Sequence, residues 1–239
     1  MAHVLVLCER SGAIRNAFAR LGHTVVSVDT LPSTTECEGD SQHIVADALD
    51  FLPEGPQGRR WDLVIARPPC TFMANSGARW LLEKDRNTGE LTQRAKDRWV
   101  ALAEAVDFFN AMRRMDSDLI AIENPIPHKH ARLGFNNEYA SRFSGIGEPT
   151  QYVQPWDFGH PESKKTGWWL KGLPLLQGTK DVRAEAMALP YAERNRVHHA
   201  SPGPERWMLR SLLVEGMAVA IAEQWGSFAD RHRNQQEVS

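Results

Sequence analysis

Short apolar runs separated by polar, turn-forming segments recur through the first half of the chain. They lie at residues 3–7, 24–28, 43–46, 63–66 and 119–122. Each run is too short for a helix and lacks a clean apolar/polar alternation, which is typical of strands buried on both faces. With helices between the strands, the pattern predicts an α/β fold whose mostly parallel, twisted sheet has helices on both faces.

Two segments between these runs have helical periodicity. Residues 13–21 follow the turn at residues 8–12 and end at Gly22, a residue that commonly closes a helix. Residues 91–115 place Trp99, Leu102 and Val106 on one face. The polar stretch at residues 71–90 is too long for a bare connection, so it is either a mobile loop over a site or a surface segment without structure.

Small or polar residues follow the predicted strands at their carboxyl ends. These positions are Gly12, Asp29, Asp47, Cys70 and Glu123. Ligands of open α/β sheets bind beyond the carboxyl ends of the strands, so the set predicts one site. Taken singly, Asp29 and Asp47 are equally well explained as a helix cap or a turn residue.

The sequence Pro68-Pro69-Cys70 places a thiol on a rigid turn directly after a buried strand. A cysteine thiolate is a soft nucleophile that can add to carbon 6 of a pyrimidine and make carbon 5 electron-rich. The carboxyl group of Glu123 is suited to hold such a ring at nitrogen 3 and to assist its protonation. The alternative is that Cys70 is a small buried apolar residue, as many free cysteines are.

The first strand–turn–helix unit indicates an adenosine-containing ligand. A glycine turn at Ser11-Gly12 lets a ligand approach the backbone, and Asp29 at the end of the second strand can accept hydrogen bonds from both ribose hydroxyls. The turn has only a fragment of the dinucleotide-binding glycine pattern and no cradle for a pyrophosphate. S-adenosylmethionine therefore fits better than a dinucleotide, with Asp47 near the adenine amino group.

Composition narrows the class of protein. The 239 residues carry a net charge of −2 at a pI near 6.5, so there is no overall basic field that would attract nucleic acid. Three cysteines without a Cys-x-x-Cys spacing indicate reduced thiols rather than disulfides or a zinc site. No signal pattern or membrane-length apolar run is present, and we expect a cytoplasmic protein in a bacterial or phage-infected cell.

The order of these motifs resembles that of the cytosine-5 DNA methyltransferases, and is most similar to the short forms encoded by phages and prophages. The similarity covers residues 8–12, Asp29, residues 46–48, Pro69-Cys70 and Glu123-Asn124, followed by residues 161–170 and 214–219. The resemblance implies a Rossmann-like class I S-adenosylmethionine-dependent methyltransferase fold. It also implies methyl transfer to carbon 5 of cytosine in DNA through a covalent Cys70 adduct.

The resemblance assigns roles to residues of this chain. The implied catalytic residues are Cys70, Glu123 and Lys164. The implied cofactor-binding residues are Cys8, Glu9, Ser11, Gly12, Asp29, Asp47, Pro69 and Gly216. The implied substrate-binding residues are Pro68, Asn75, Ser76, Asn124 and Lys165, and no metal is expected.

Several positions depart from the family pattern. Lys164 stands where an arginine is usual and cannot form a bidentate fork, and Thr166 replaces a second arginine. We divide the chain into a catalytic core at residues 1–171, a short basic insertion at 172–210 in place of a target-recognition domain, a core-completing helix at 211–228 and a disordered tail at 229–239. Within residues 164–210, nine Lys/Arg face four Asp/Glu, which fits either a phosphate-contacting patch or a solvated helical face.

Two further clusters and several functions stay open. His128 and His130 fit a substrate-contacting or surface role better than a metal site. The aromatic turn at residues 154–160 is either a wall of the base pocket or core filling. The alternative functions are the same chemistry on a free pyrimidine nucleotide or RNA, or a non-catalytic relative that binds DNA or a protein. Methyl transfer to an adenine amino group is a weaker alternative. Pro68-Pro69 resembles part of the Asp-Pro-Pro-Tyr motif of such enzymes, but Arg67 and Cys70 stand where that motif has its polar and aromatic residues.

Overall fold

The computed structural model describes residues 1–199 and 212–237. Its strands are β1 (His3–Leu7), β2 (Thr24–Asp29), β3 (Ser41–Val45), β4 (Leu63–Ala66), β5 (Ile120–Pro125), β6 (Phe135–Asn136), β7 (Ser141–Arg142), β8 (Gln151–Val153) and β9 (Thr166–Lys171). Its α-helices are α1 (Ala13–Arg20), α2 (Gln93–Met112), α3 (Lys129–Leu133), α4 (Arg183–Ala188), α5 (Tyr191–Arg194), α6 (Arg196–His199), α7 (Glu215–Ile221) and α8 (Ser227–Glu237). Each apolar run of the sequence forms a strand, so the predicted α/β class is confirmed.

Seven of these strands form one sheet in the order β3-β2-β1-β4-β5-β9-β8. Neighbouring strands from β3 to β5 are parallel, and β9 runs antiparallel to both β5 and β8. The start of β9 therefore lies at the same edge of the sheet as the carboxyl ends of β1, β4 and β5. Strands β6 and β7 form a separate small hairpin.

Both faces of the sheet are covered by helices, as buried parallel strands require. Helix α2 packs on one face, where Leu7, Ala66 and Ile122 meet Trp99 and Phe109. Helices α1 and α7, with the π-helical residues Ala222–Gly226 that lead into α8, pack on the other face. This second face is built on alternate strand residues such as Val6, Ile65 and Ala121.

The polar stretch at residues 71–90 is more ordered than its sequence predicted. It forms a 3-10 helix at Asn75–Leu82, and Ala74 pairs with Pro127 while Lys84 pairs with Leu91. The buried Trp99 of α2 donates its Nε1 hydrogen to the carbonyl oxygen of Leu81 at 3.1 Å. These contacts attach the segment to α2 and to the residues after β5.

The C-terminal residues are helical where composition predicted a disordered tail. Helix α8 reaches Glu237, Arg233 donates to the carbonyl oxygen of Met1 at 2.7 Å, and Asp230 lies 3.5 Å from the Met1 amino group. The composition predicted disorder because it shows only that the side chains of this segment are polar. Their partner Met1 lies far away in sequence, so the local pattern does not reveal the contact. None of the described helices has the length and apolarity to cross a membrane.

Candidate functional site at the carboxyl ends of the central strands

Four strand-end residues lie side by side across the middle of the sheet. Strand pairing sets Leu7 opposite Val28 and Ala66, and sets Ala66 opposite Ile122. The next residue on each strand gives the row Asp29, Cys8, Arg67, Glu123. The Arg67 amide donates to the carbonyl oxygen of Leu7 at 3.0 Å, which continues the pairing into this row. The structure thus brings three of the predicted site residues together and adds Arg67.

Arg67 and Glu123 form a buried ion pair in this row. The Nε of Arg67 donates to Oε2 of Glu123 at 3.3 Å, and the two side chains are only 7% and 8% exposed. A carboxylate in such a position needs a cation, because removing it from water is costly unless it is paired. Sequence reasoning treated Arg67 only as a departure from a motif, although a charged residue between a buried strand and two prolines was a visible signal.

The turn that carries Cys70 is braced against β5. The Nδ2 of Asn124 donates to the carbonyl oxygen of Pro68 at 3.0 Å, and the Asn124 side chain is fully buried. The carbonyl oxygen of Cys70 accepts hydrogen bonds from the amides of Met73 and Ala74, at 3.1 and 2.9 Å. The Cys70 residue itself is partly exposed. Its position is therefore determined by backbone contacts on both sides while its surface stays accessible.

Cys8 has an unusual backbone at the end of β1. Its φ of 57° lies in the left-handed region, which costs a non-glycine residue on the order of 1–3 kcal/mol and is often found at functional sites. Burial, followed by the charges of Asp29 and Asp47, raises the pKa of the Cys8 thiol to about 12. Cys8 is thus a neutral thiol at physiological pH, and the two aspartates lie close enough to affect it.

Glu9 caps helix α1 from within the protein. Its Oε1 accepts from the amide of Ile14 at 2.6 Å and its Oε2 from the amide of Arg15 at 3.2 Å. Burial raises the pKa of Glu9, and the hydrogen bond from Ile14 and the charge of Arg67 act against that rise. The first helix N-terminus is therefore already occupied by a side chain of the protein. Glu9 was predicted to bind cofactor, and its side-chain contacts are those of a helix cap.

The glycine turn is covered by the loop that follows β2. Gly12 has a φ of 71°, and a Cβ there would lie 2.2 Å from Thr35 Oγ1. The fully buried Arg15 attaches this loop, donating to Ser33 Oγ at 3.0 Å and to the carbonyl oxygen of Glu36 at 2.9 Å. Ser11 contributes its carbonyl oxygen, which accepts from Thr35 at 2.9 Å. Sequence reasoning missed Arg15, whose place on the buried face of α1 was the only signal.

Asp29 and Asp47 make the local contacts expected of turn and cap residues. Asp29 Oδ1 accepts from the amide of Leu31 at 3.0 Å, and Asp47 Oδ1 accepts from the amide of Leu49 at 2.9 Å. In both residues only one carboxylate oxygen has a protein partner among the described residues. The second oxygen of each can accept from a ligand, so the pair fits the hydroxyl and amino donors of an adenosine.

The remaining predicted residues lie outside this row. The Nζ of Lys164 donates to the carbonyl oxygen of Leu212 at 2.8 Å. The Nζ of Lys165 lies over the Tyr152 ring, 4.2 Å from its centroid. Asn75 and Ser76 are exposed at the start of the 3-10 helix, and Pro69 is exposed beside Cys70. Gly216 approaches Phe158 closely, since a Cβ would lie 2.1 Å from the Phe158 carbonyl oxygen.

The histidines of the 128–130 segment have structural contacts. His128 Nε2 lies 2.8 Å from the carbonyl oxygen of Phe72, and its Nδ1 accepts from the amide of Ala131 at 3.2 Å. His130 packs edge-on against Trp99. Across residues 1–199 and 212–237, no group of three or more His, Cys, Asp or Glu side chains is placed to hold a metal ion.

The aromatic turn at residues 154–160 contributes to a different surface. A cavity of about 390 Å³ is lined by Tyr152, Phe158 and Lys180, among others, and none of the predicted site residues lines it. It lies along β8 at one side of the sheet, whereas the Cys70 turn follows the central strand β4. Of the basic segment, residues 200–211 lie outside the described residues, Trp207 among them.

No protein-family model and no curated protein matches this chain. Among solved structures, the chain is similar to an E. coli prophage-encoded protein described provisionally as a DNA modification methyltransferase. The TM-score is 0.40 at 14% sequence identity, over 80% of this chain. This chain spans 56% of the length of that structure. A likeness at this level carries no inference about the activity of the present chain.

Proposed function

We propose that this protein transfers a methyl group from S-adenosylmethionine to carbon 5 of cytosine in DNA, through a covalent adduct with Cys70. One arrangement carries the proposal. A partly exposed cysteine lies on a rigid turn, and that turn is hydrogen-bonded to Asn124, the neighbour of the buried Glu123. A nucleophile and a carboxyl group at the ends of adjacent strands are the two groups that attack on a pyrimidine ring requires.

The sheet supports the fold that this function needs. We propose the Rossmann-like class I methyltransferase fold, because the first five strands follow the order 3-2-1-4-5 and are continued by an antiparallel strand beside β5. The strand order reverses between the parallel strands β1 and β4, and this reversal creates the crevice in which such sheets bind ligands. Cys8, Arg67 and the Cys70 turn all lie at that crevice.

Asp29 and Asp47 would hold the adenosine part of S-adenosylmethionine through their unpartnered carboxylate oxygens. When bound, this cofactor supplies an electrophilic methyl group. The Cys8–Gly12 turn supplies the wall between the two carboxylates and the catalytic residues. The raised pKa of Cys8 keeps its thiol uncharged, and Glu9 accepts hydrogen bonds from the amides at the start of helix α1.

The residues of the chain would act on the base in a defined order. The Cys70 thiolate forms a bond to carbon 6 while the carboxyl group of Glu123 donates a proton to nitrogen 3, where negative charge develops. After carbon 5 has been substituted, a water molecule takes its proton and Glu123 takes back the proton on nitrogen 3. The electron pair of the broken C–H bond re-forms the double bond between carbons 5 and 6, and the bond between carbon 6 and Cys70 breaks to release the thiolate. Within a duplex the cytosine must first rotate out of the stack to reach Cys70.

The decisive experiment is expression in a host that lacks cytosine methylation. DNA and RNA from cells making the wild type or Cys70→Ala are digested to nucleosides and analysed for 5-methylcytosine by mass spectrometry. We expect 5-methylcytosine in DNA from the wild type alone. Cys37→Ala is the matched control, since Cys37 is exposed and lies outside the row. Equal methylation by the wild type and Cys70→Ala, or none by either although both proteins are folded, would overturn the proposal.

A second candidate is the same chemistry on RNA or on a free pyrimidine nucleotide. It is favoured by the short connection between β9 and α7, in which the described helices α4, α5 and α6 have only six, four and four residues. Such helices offer little material for an independent DNA-reading domain. Methylated cytidine in RNA, or methylation of added deoxycytidine monophosphate in place of DNA, would favour this candidate.

A further inference from the structure

The first two turns of helix α2 carry cations at the end of the helix that already has a positive potential. Arg94, Lys96 and Arg98 occupy this region, and the first turn contains no acidic residue. Helix N-termini favour anions and acidic side chains, so cations here are locally unfavourable. Asp97 is the one acidic residue among the first two turns of this helix, so the charge of this region is positive, as the binding of an anion requires.

Arg98 lies directly beneath the turn that carries Cys70. Its Nη2 donates to the carbonyl oxygen of Thr71 at 2.8 Å, and its guanidinium carbon lies 5.0 Å from the Phe72 ring centroid. Gly77 makes room for it, because a Cβ at residue 77 would lie 2.0 Å from that nitrogen. Its Nε is buried and has no hydrogen-bond partner in the part of the chain that the structure describes. The hydrogen bonds of this cation next to the Cys70 turn are thus incomplete among those residues.

The charges around Arg98 are positive. Burial lowers the pKa of Arg98, and the charge of Arg94 lowers it further. Burial also lowers the pKa of His128. The hydrogen bond to Phe72 opposes this effect, and the charges of His130 and Arg98 add to it. Among the described residues, no carboxylate forms a hydrogen bond or an ion pair with Arg98.

The acidic residues nearby have partners of their own. Glu83 accepts from the Thr92 hydroxyl at 3.1 Å, and its Oε1 lies 3.9 Å from Nη1 of Arg94. Asp97 accepts from Gln93 at 2.7 Å, and Asp85 accepts from two amides of its own turn. These carboxylates therefore do not compensate Arg98.

An aromatic side chain completes this surface. Trp80 contacts two guanidinium groups, since the guanidinium carbon of Arg79 lies 4.4 Å and that of Arg94 4.0 Å from its ring centroid. The neighbouring Leu82 is 65% exposed. Cations combined with an aromatic ring are the components with which proteins follow a single nucleic-acid strand, the cations on phosphates and the ring on a base.

We propose that Arg79, Trp80, Arg94 and Arg98, which we call the Arg94 surface, bind the phosphodiester backbone of the strand whose base reaches Cys70. This inference rests on the proposed function and names the part of the chain that contacts the nucleic acid. Arg98 places a positive charge under the Cys70 turn for the phosphate nearest the reacting nucleotide. Arg79 and Arg94 bind the adjoining phosphates, which draws a guanidinium group off the Trp80 ring so that an unpaired base can stack there. The phosphate of a free nucleotide offers Arg98 the same chemistry, so the test must separate the two ligands.

Binding is measured by fluorescence anisotropy in a Cys70→Ala background, so that methyl transfer is not needed. The probes are labelled single-stranded and duplex oligonucleotides at several salt concentrations. The variants are Arg79→Gln and Arg94→Gln, both at positions whose side chains lie on the surface. Arg114→Gln is the matched control, since Arg114 follows the other end of α2 and is paired with Glu54.

We expect each of the two variants to raise the dissociation constant for single strands about tenfold, as loss of a charge-assisted phosphate contact should. The slope of log affinity against log salt should fall by about one per variant. Arg114→Gln should leave the dissociation constant and the slope unchanged. Trp80→Ala should weaken the binding of single strands more than the binding of duplex. Equal affinity and slope in Arg94→Gln, Arg79→Gln and Arg114→Gln would overturn the inference.

A competition arm separates the two sources of phosphate. Deoxycytidine monophosphate should displace the labelled strand poorly, because it can occupy only one of the phosphate positions. The opposite result is that the nucleotide displaces the labelled strand fully at the concentration at which an unlabelled strand does so. That result would overturn the assignment of the Arg94 surface to the phosphodiester backbone and would indicate a nucleotide site. If Arg94→Gln weakens binding but the wild type makes no 5-methylcytosine, the Arg94 surface is supported and the proposed reaction is refuted. If the wild type methylates DNA but Arg94→Gln binds as tightly as before, the reaction is supported and the Arg94 surface is refuted.

Discussion

The buried pair of Arg67 and Glu123 allows a quantitative test of how the site is built. In Arg67→Met the methionine fills a similar volume but leaves the Glu123 carboxylate without this cation, at a position where the side chain is 8% exposed. Removing one partner of a buried pair costs about 3–5 kcal/mol. Since whole domains have unfolding free energies of about 5–15 kcal/mol, the variant should lose a large share of its stability.

A double variant separates the pair from the packing around it. Arg67→Met combined with Glu123→Gln removes both charges, so the loss should be much smaller than the sum of the two single losses. We expect a coupling energy of about 2 kcal/mol or more, at the upper end of values for residues in contact. The pair is thus predicted to matter for stability mainly because each charge would be costly alone.

The assay is urea unfolding followed by tryptophan fluorescence. Trp168 is paired with Glu123 across β5 and β9 and reports directly on this region. Arg60→Met is the matched control, because Arg60 pairs with Asp118 with side chains that are 53% and 45% exposed. An exposed pair is worth about 0–1 kcal/mol. If Arg67→Met cost no more than Arg60→Met at equal dependence on urea, the reasoning from burial would be refuted.

Three further predictions concern single residues. Iodoacetamide at about pH 8 should modify the exposed Cys37 and spare Cys8, whose pKa is raised to about 12 by burial, and comparable rates in peptide mass spectra would contradict this. Burial raises the pKa of Glu9, so the contribution of Glu9 to stability is present in acid and is lost as pH rises through the folded-state pKa. Urea unfolding of Glu9→Gln at a series of pH values should lack that loss. Parallel pH profiles for the wild type and the variant would contradict this prediction. Gly216→Ala should lower the free energy of unfolding by about 1–3 kcal/mol, since its Cβ would meet the Phe158 carbonyl oxygen, and an unchanged urea midpoint would show that the backbone adapts freely.

The order of elements and the row of strand ends could be predicted from the chain alone. Buried parallel strands require continuous apolar runs, and these runs are local in sequence, so the strands at residues 3–7 and 63–66 were located to the residue. The polar residues after them, Asp29, Cys70 and Glu123, were visible for the same reason. Their assembly at one edge follows from the parallel direction of the strands.

Partners that are distant in sequence were decided only by the tertiary structure. Arg67 meets Glu123 because β4 and β5 are neighbours in a particular register, and Arg15 attaches the loop after β2 because α1 packs beside it. The helical tail is attached to the rest of the protein in part by contacts of Arg233 and Asp230 with Met1. Composition and periodicity describe what each segment can bury or expose. They do not determine which buried charges will be neighbours, because that depends on strand order and register, which arise when the whole sheet packs.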